Sequence, residues 1–95
     1  MTKRDLIEEV ARRSDTFARK DIEAIVNTIF GSMLDSMARG DRIEIRSFGT
    51  FSVRDRSARQ GRNPRTGADV HIPARRVPFF TAGKELRQRV DGGQD

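Results

Sequence analysis

Apolar residues recur with a helical period over the first forty positions. Thr2 offers an N-cap hydroxyl, and Asp5 three positions on can reach back to it and favour the helix dipole. Leu6, Ile7, Val10 and Ala11 then line one face, so a first helix of about three turns is expected, ending at Arg12, Arg13, Ser14 and Asp15. Thr16 is the expected cap of a second helix with apolar positions Ile22, Ile25, Val26, Ile29, Phe30, Met33, Leu34 and Met37, and with Gly40 as its stop. The first helix is too short to cover so long a stripe. A second subunit is therefore expected on the rest of it. Acidic Asp21, Glu23 and Asp35 on the polar side speak against a helix lying on an anionic membrane.

The period changes at Asp41. Arg42-Ile43-Glu44-Ile45-Arg46 alternates strictly, placing two isoleucines on one face and three charges on the other, as a half-buried strand requires. A turn over Ser47–Thr50 is predicted, then a second, antiparallel strand restarting at Phe51 and Val53. That strand is expected to run past the core as an arm over about residues 53–76, with Arg54–Arg59 outgoing and Val70–Arg76 returning. Ten-residue limbs would reach roughly 30 Å. Pro73 restricts the arm to two strands, since proline cannot donate to a further neighbour. Val77-Pro78-Phe79-Phe80 returns the chain to the core, Thr81 is the expected cap of a short third helix through Leu86 and Val90, and residues 91–95 are expected to fray. The fold class is α+β, with 1–95 as a single domain.

Charge sharpens this picture because it is localised. Residues 53–76 carry seven arginines against Asp55 and Asp69, a local +5, which equals the net charge of all 95 residues. The remainder balances, and the arm alone is a polyanion-binding limb by composition. The alternative is a solvated basic loop. Charged and hydrophobic residues each make up 35% of the chain, polar for a self-sufficient monomer of this size but suitable for half of a dimer. There is no cysteine, hence no disulfide frame or thiolate metal site, and the N-terminus enters helical periodicity directly; both suit a soluble intracellular protein.

Catalytic chemistry finds no foothold. The single histidine, His71, falls on the exposed arm, the acids are scattered beside Lys and Arg, and no metal-ligand spacing occurs. No cofactor is expected. The arm tip, Gly61-Arg62-Asn63-Pro64-Arg65-Thr66-Gly67, carries more information. An exposed proline flanked by Arg62 and Arg65 can wedge between base pairs while the arginines hold the minor groove, or Asn63-Pro64 can simply nucleate a turn that Gly67 closes. The two readings are compatible, as a turn is what presents a wedge. Stacking of single-stranded bases is disfavoured: there is no Tyr or Trp, and Phe17, Phe30, Phe48, Phe51, Phe79 and Phe80 all sit in core-facing patterns.

Phe48-Gly49-Thr50-Phe51, the 61–67 tip, Val77-Pro78 and Gly83-Lys84, in that order, make residues 2–90 resemble the bacterial HU/IHF family of histone-like DNA-bending proteins. HU and IHF are themselves the standing examples of minor-groove benders, so the wedge mechanism comes with the resemblance. It implies an intertwined dimer, homomeric or with a related subunit, that has a helical body and two β-ribbon arms wrapping double-stranded DNA in the cytoplasm, within the nucleoid. Carried over by position, Pro64 would intercalate, Arg59, Arg62, Asn63 and Arg65 would occupy the minor groove, Arg54, Arg56, Arg75 and Arg76 would meet phosphates along the arm, and Lys3 and Lys84 would meet phosphates on the flanks. Arg42, Glu44 and Arg46 resemble the strand of the IHF beta type, where they assist recognition of a preferred site. Ala18 and Ala82 point instead to HU, and Ser47 replaces a glycine usual in both. Two other classes stand beside this one: a partner of duplex RNA, whose A-form offers no easily kinked minor groove, and a helix-mediated interaction module with an incidental basic loop.

Overall fold

The computed structural model describes residues 1–92, which form three helices and five strands. The expected fraying of the tail falls mostly on 93–95, outside the described residues; Asp91 and Gly92 form a turn after the last helix. The chain separates into two compact units, 1–35 and 36–95.

In the first unit, α1 (Lys3–Arg13) starts on the capping box read from the sequence: the Thr2 hydroxyl accepts from the Asp5 amide at 3.1 Å and the Asp5 carboxylate accepts from the Thr2 amide at 3.0 Å. α2 (Arg19–Ala38) begins later than expected, because the Thr16 hydroxyl donates to the Asp15 carboxylate at 3.4 Å and accepts from no helix amide among the described residues. The Ser14 hydroxyl accepts from Thr16 and Phe17 at 3.4 and 3.3 Å, and the first helical bonds of α2 run to the Ala18 carbonyl, so Thr16 is not the cap. At 1.5 Å per residue α1 spans only about half the length of α2. Its Ile7 packs on Ile22 and Val26, with Leu6 and Ala11 beside them, and those three are the buried hydrophobic residues of the described chain. The rest of the stripe is open: Ile25, Ile29 and Phe30 are exposed and Leu34 is 72% exposed.

The second unit opens with the C-terminus of α2. Gly40 adopts φ +85°, its amide reaches the Met37 carbonyl at 2.9 Å, and the Asp41 amide reaches Ser36 at 3.0 Å, the paired bonds of a Schellman stop. The chain then forms β1 (Ile43–Ile45), β2 (Gly49–Arg56), β3 (Arg59–Arg62), β4 (Asp69–Ile72) and β5 (Arg75–Ala82), all antiparallel, with order β1-β2-β5 in one sheet and β3-β4 in a second. The turn between β1 and β2 is tighter than expected. It covers residues 46–48, closed by the Phe48 amide on the Ile45 carbonyl at 3.0 Å, and holds Ser47 at φ +71°, a left-handed conformation that explains why a glycine suits this position.

Thr81 does not cap the third helix. Pairing with β2 extends β5 through Ala82, placing Thr81 opposite Thr50, so α3 (Lys84–Val90) starts after Gly83 without a side-chain cap. The Gly83 amide donates to the Phe48 carbonyl at 2.8 Å and the Leu86 amide to Ser47 at 3.3 Å, tying α3 to the 46–48 turn. The phenylalanines also depart from expectation. Phe17, Phe30, Phe48 and Phe80 are exposed and Phe51 and Phe79 half-buried in this single chain, because its own core is too small to receive them.

Candidate nucleic-acid interface

Strand register decides which of the candidate residues share a surface. Opposed residues of an antiparallel pair point to the same side, and successive residues alternate. With Glu44 opposite Thr50, Ser52 opposite Phe79, Arg54 opposite Val77 and Arg56 opposite Arg75, one face of the β1-β2-β5 sheet collects Glu44, Arg54, Arg56 and Arg75. The other face holds Ile43, Ile45, Phe51, Val53, Pro78 and Phe80, with Phe80 packed against Phe51 and Phe48 at centroid distances of 4.7 and 5.7 Å. The sheet is thus amphipathic, one side apolar and the other basic. Arg42 and Arg46 flank β1, where Arg42 lies 3.3 Å from Glu44.

The arm is not one unbroken ribbon. Pairing stops after Arg56↔Arg75 and resumes at Arg59↔Ile72, leaving residues 57–58 and 73–74 outside the ladder. Two residues are missing on each side, so the register continues unshifted and no bulge reverses the faces. Pro73, which lacks an N–H, falls within the gap. A concavity of about 500 Å³ opens there, with Arg56, Arg59 and Arg75 among its lining residues. Beyond it Gln60 opposes His71 and Arg62 opposes Asp69, while Arg59 and Gly61 share the other side with Ile72 and Val70.

At the tip Asn63 organises everything. Its amide donates to Ala68 at 2.9 Å, its carbonyl accepts from Gly67 at 2.7 Å, and its side-chain oxygen accepts from Arg65 and Thr66 at 2.8 and 3.4 Å. Gly67 at φ +76° closes the loop. The turn reading of Asn63-Pro64 is therefore what the backbone does, and its product is an exposed Pro64 between exposed Arg62 and Arg65.

The arginines differ in how they are held. Arg76, on the apolar side of the ribbon opposite Asp55, lies 3.6 Å from that carboxylate and donates to the Ala38 carbonyl at 3.4 Å; it is the one arm arginine within ion-pair distance of an acid among the described residues. Arg54 instead stacks on Phe79, its guanidinium carbon 3.4 Å from the ring centroid. Nothing in the sequence pattern marks Asp55 and Phe79; their partnerships with Arg76 and Arg54 depend on register, which periodicity alone does not supply. Lys3 and Lys84 are the exposed first residues of α1 and α3. The perturbed titrating groups belong elsewhere: on α1, hydrogen bonds from Arg12 and Arg13 hold the Glu9 carboxyl below its ordinary range, and Glu9 in turn raises Arg12.

Known proteins match this sequence of three helices and a basic two-stranded arm. Residues 1–91 match the family model described as bacterial DNA-binding protein. The chain belongs to this family. Among solved structures, this bacterial DNA-binding protein is similar to Anabaena HU in its DNA cocrystal, with 37% identity, a TM-score of 0.83, and coverage of 95% of this chain and 97% of that one. It is also similar to a point mutant of HU from Thermotoga maritima, with 31% identity, a TM-score of 0.67, and coverage of 95% and 99%. A mutant of transcription factor 1, at 22% identity and a TM-score of 0.66 over 97% and 92% of the two chains, shares the fold. The α+β, HU-like fold expected from the sequence is the one observed. Among the described residues no helix is long and apolar enough to cross a membrane.

Proposed function

We propose that this bacterial DNA-binding protein is a dimeric architectural protein that bends double-stranded DNA by inserting Pro64 from each of two arms. The observation that carries the reading is the tip: a proline exposed by a turn whose amides are bonded internally, with free guanidinium groups on both sides. An apolar wedge of this kind unstacks one base step while arginines hold the groove around it. In this reading Arg59, Arg62, Asn63 and Arg65 line the minor groove, and Arg54, Arg56 and Arg75 meet phosphates along the basic face. Arg76 contributes least of the arm arginines, since Asp55 and the Ala38 carbonyl already engage it. Lys3 and Lys84 serve the flanks.

The dimer is supported by the open stripe of α2, and residues 1–95 act in it as one functional unit. Arg42, Glu44 and Arg46 at β1, with Glu44 on the same face as Arg54 and Arg56, favour an IHF-beta-like role with a preferred site, in nucleoid organisation, recombination, replication and transcription control. Likeness to HU at 37% and 31% identity favours a second version of the reading, an HU-type homodimer that binds without a preferred site.

The wedge is tested by Pro64→Ala, which removes no charge and leaves the Asn63 and Gly67 bonds in place. Energy transfer between labelled ends of intact linear DNA should report a smaller bend, with affinity for nicked DNA nearly unchanged. An unchanged end-to-end distance in the mutant complex would reduce Pro64 to a turn former.

A further inference from the structure

Phe79 and Phe80 are adjacent on β5 and so point to opposite faces of the sheet. Phe80 points with Phe51 and Phe48 to the apolar face, whereas Phe79, with Val77 as its same-face neighbour on β5, falls on the face of Glu44, Arg54, Arg56 and Arg75. It stands opposite Ser52, two rungs from Arg54 on the same face, and is half-buried under the Arg54 guanidinium at 3.4 Å. Arg54 has no acidic partner among the described residues, in contrast to Arg76 beside Asp55. Its flat face is covered by the ring while its donors, which lie in the guanidinium plane, stay open.

We propose that Phe79 is a positioning residue for Arg54: it holds the guanidinium flat against the sheet so that its edge is presented to a DNA phosphate. An arginine free in solvent loses rotamer freedom when it binds, and a stacked one has already lost much of it. Planar, edge-on donation to phosphate is what stacking leaves available, and lysine reproduces neither the plane nor the fork of donors. The inference rests on the DNA-binding reading above and adds a residue which that reading does not use.

The test is a cycle of wild type, Phe79→Leu, Arg54→Gln and the double variant, measured for linear duplex DNA at about 0.1 M salt. Phe79→Leu should weaken binding roughly two- to fivefold, and should change nothing further once Arg54 is glutamine. Phe79→Tyr should restore wild-type affinity, and Arg54→Lys, which keeps charge and fold, should bind as weakly as Phe79→Leu. Equal losses from Phe79→Leu with and without Arg54 would overturn the proposal, as would wild-type affinity in Arg54→Lys. The stacking is read separately in DNA-free protein, where the Arg54 Hε resonance should be ring-shifted in wild type and lose that shift in Phe79→Leu. An unshifted wild-type resonance sinks the positioning role, whereas failure of wild type to bind any duplex DNA sinks the DNA-binding reading instead.

Discussion

Leu34 on α2 and Arg56 on β2 both stand open to solvent, and the consequences run in opposite directions. An exposed leucine forgoes about 1.5–3 kcal/mol that burial would return, and Leu34 has Ile25, Ile29 and Phe30 exposed on the same helix. Arg56 costs nothing by being hydrated, and with Arg75 directly opposite it concentrates charge that only a polyanion would neutralise. Neither surface is finished in the single chain. The helical one lacks an apolar cover and the Arg56–Arg75 pair lacks counter-charge among the described residues, so in the proposed reading the first governs stability and the second governs affinity.

That division is most severely tested at Leu34. At a position so exposed, Leu34→Asp would change the stability of a lone chain by no more than about 0.5 kcal/mol. If the stripe is an interface, the same change removes a buried leucine and buries a charge, at a cost above roughly 3 kcal/mol, so a melt lowered by more than about 10 °C and a sedimentation mass shifted to monomer are expected. Unchanged mass and melt would show that the stripe needs no partner. The complementary change is Arg56→Gln with Arg75→Gln, which should leave the melt alone while weakening duplex binding on the order of ten- to a hundredfold. The slope of log affinity against log salt should fall by about 0.9 for each phosphate no longer neutralised, and an unaltered slope would remove the pair from the interface.

Smaller effects sharpen the picture within each region. Ser47→Gly relieves a left-handed serine, worth about 1–2 kcal/mol, against an added backbone entropy of about 0.5–1 kcal/mol, so a urea midpoint raised by the equivalent of about 0.5–1 kcal/mol is expected. A lowered midpoint would mean the turn is not held in that conformation. The least effect belongs to Glu9. Its carboxyl is held below the ordinary range by Arg12 and Arg13, so the ionised form favours the folded state at pH above the unfolded carboxyl's titration, and this support is lost as pH falls through the lowered folded value. Wild type should therefore lose slightly more helical stability on acidification than Glu9→Gln, and parallel acid curves for the two by circular dichroism would contradict this.

Much of the fold was open to reading because it rests on local chemistry. The Thr2–Asp5 box, the Gly40 stop, the strict alternation at 42–46 and the Asn63–Gly67 turn each depend on residues a few positions apart, and the structure forms all four, the strand over 43–45 alone and with Ile45 exposed. The misplaced caps had nonlocal or competing causes. The Thr16 hydroxyl turned to Asp15 instead of a helix amide, and pairing with β2 drew Thr81 into a strand. Phenylalanine patterning marked positions that want burial without saying that this chain cannot provide it.

For the candidate interface, residue type and spacing already placed seven arginines and one proline on a two-stranded limb, because charge density and turn chemistry are properties of the chain itself. The tertiary structure alone decided which arginines are free. Register put Asp55 beside Arg76, Phe79 beneath Arg54 and Arg75 across from Arg56, and it continued without a shift through the gap at 57–58 and 73–74, which sets Arg62 on the face of Arg56 and Arg59 on the other. A single-residue slip would have exchanged those partners while leaving every local preference satisfied, since alternation is blind to which residue stands opposite.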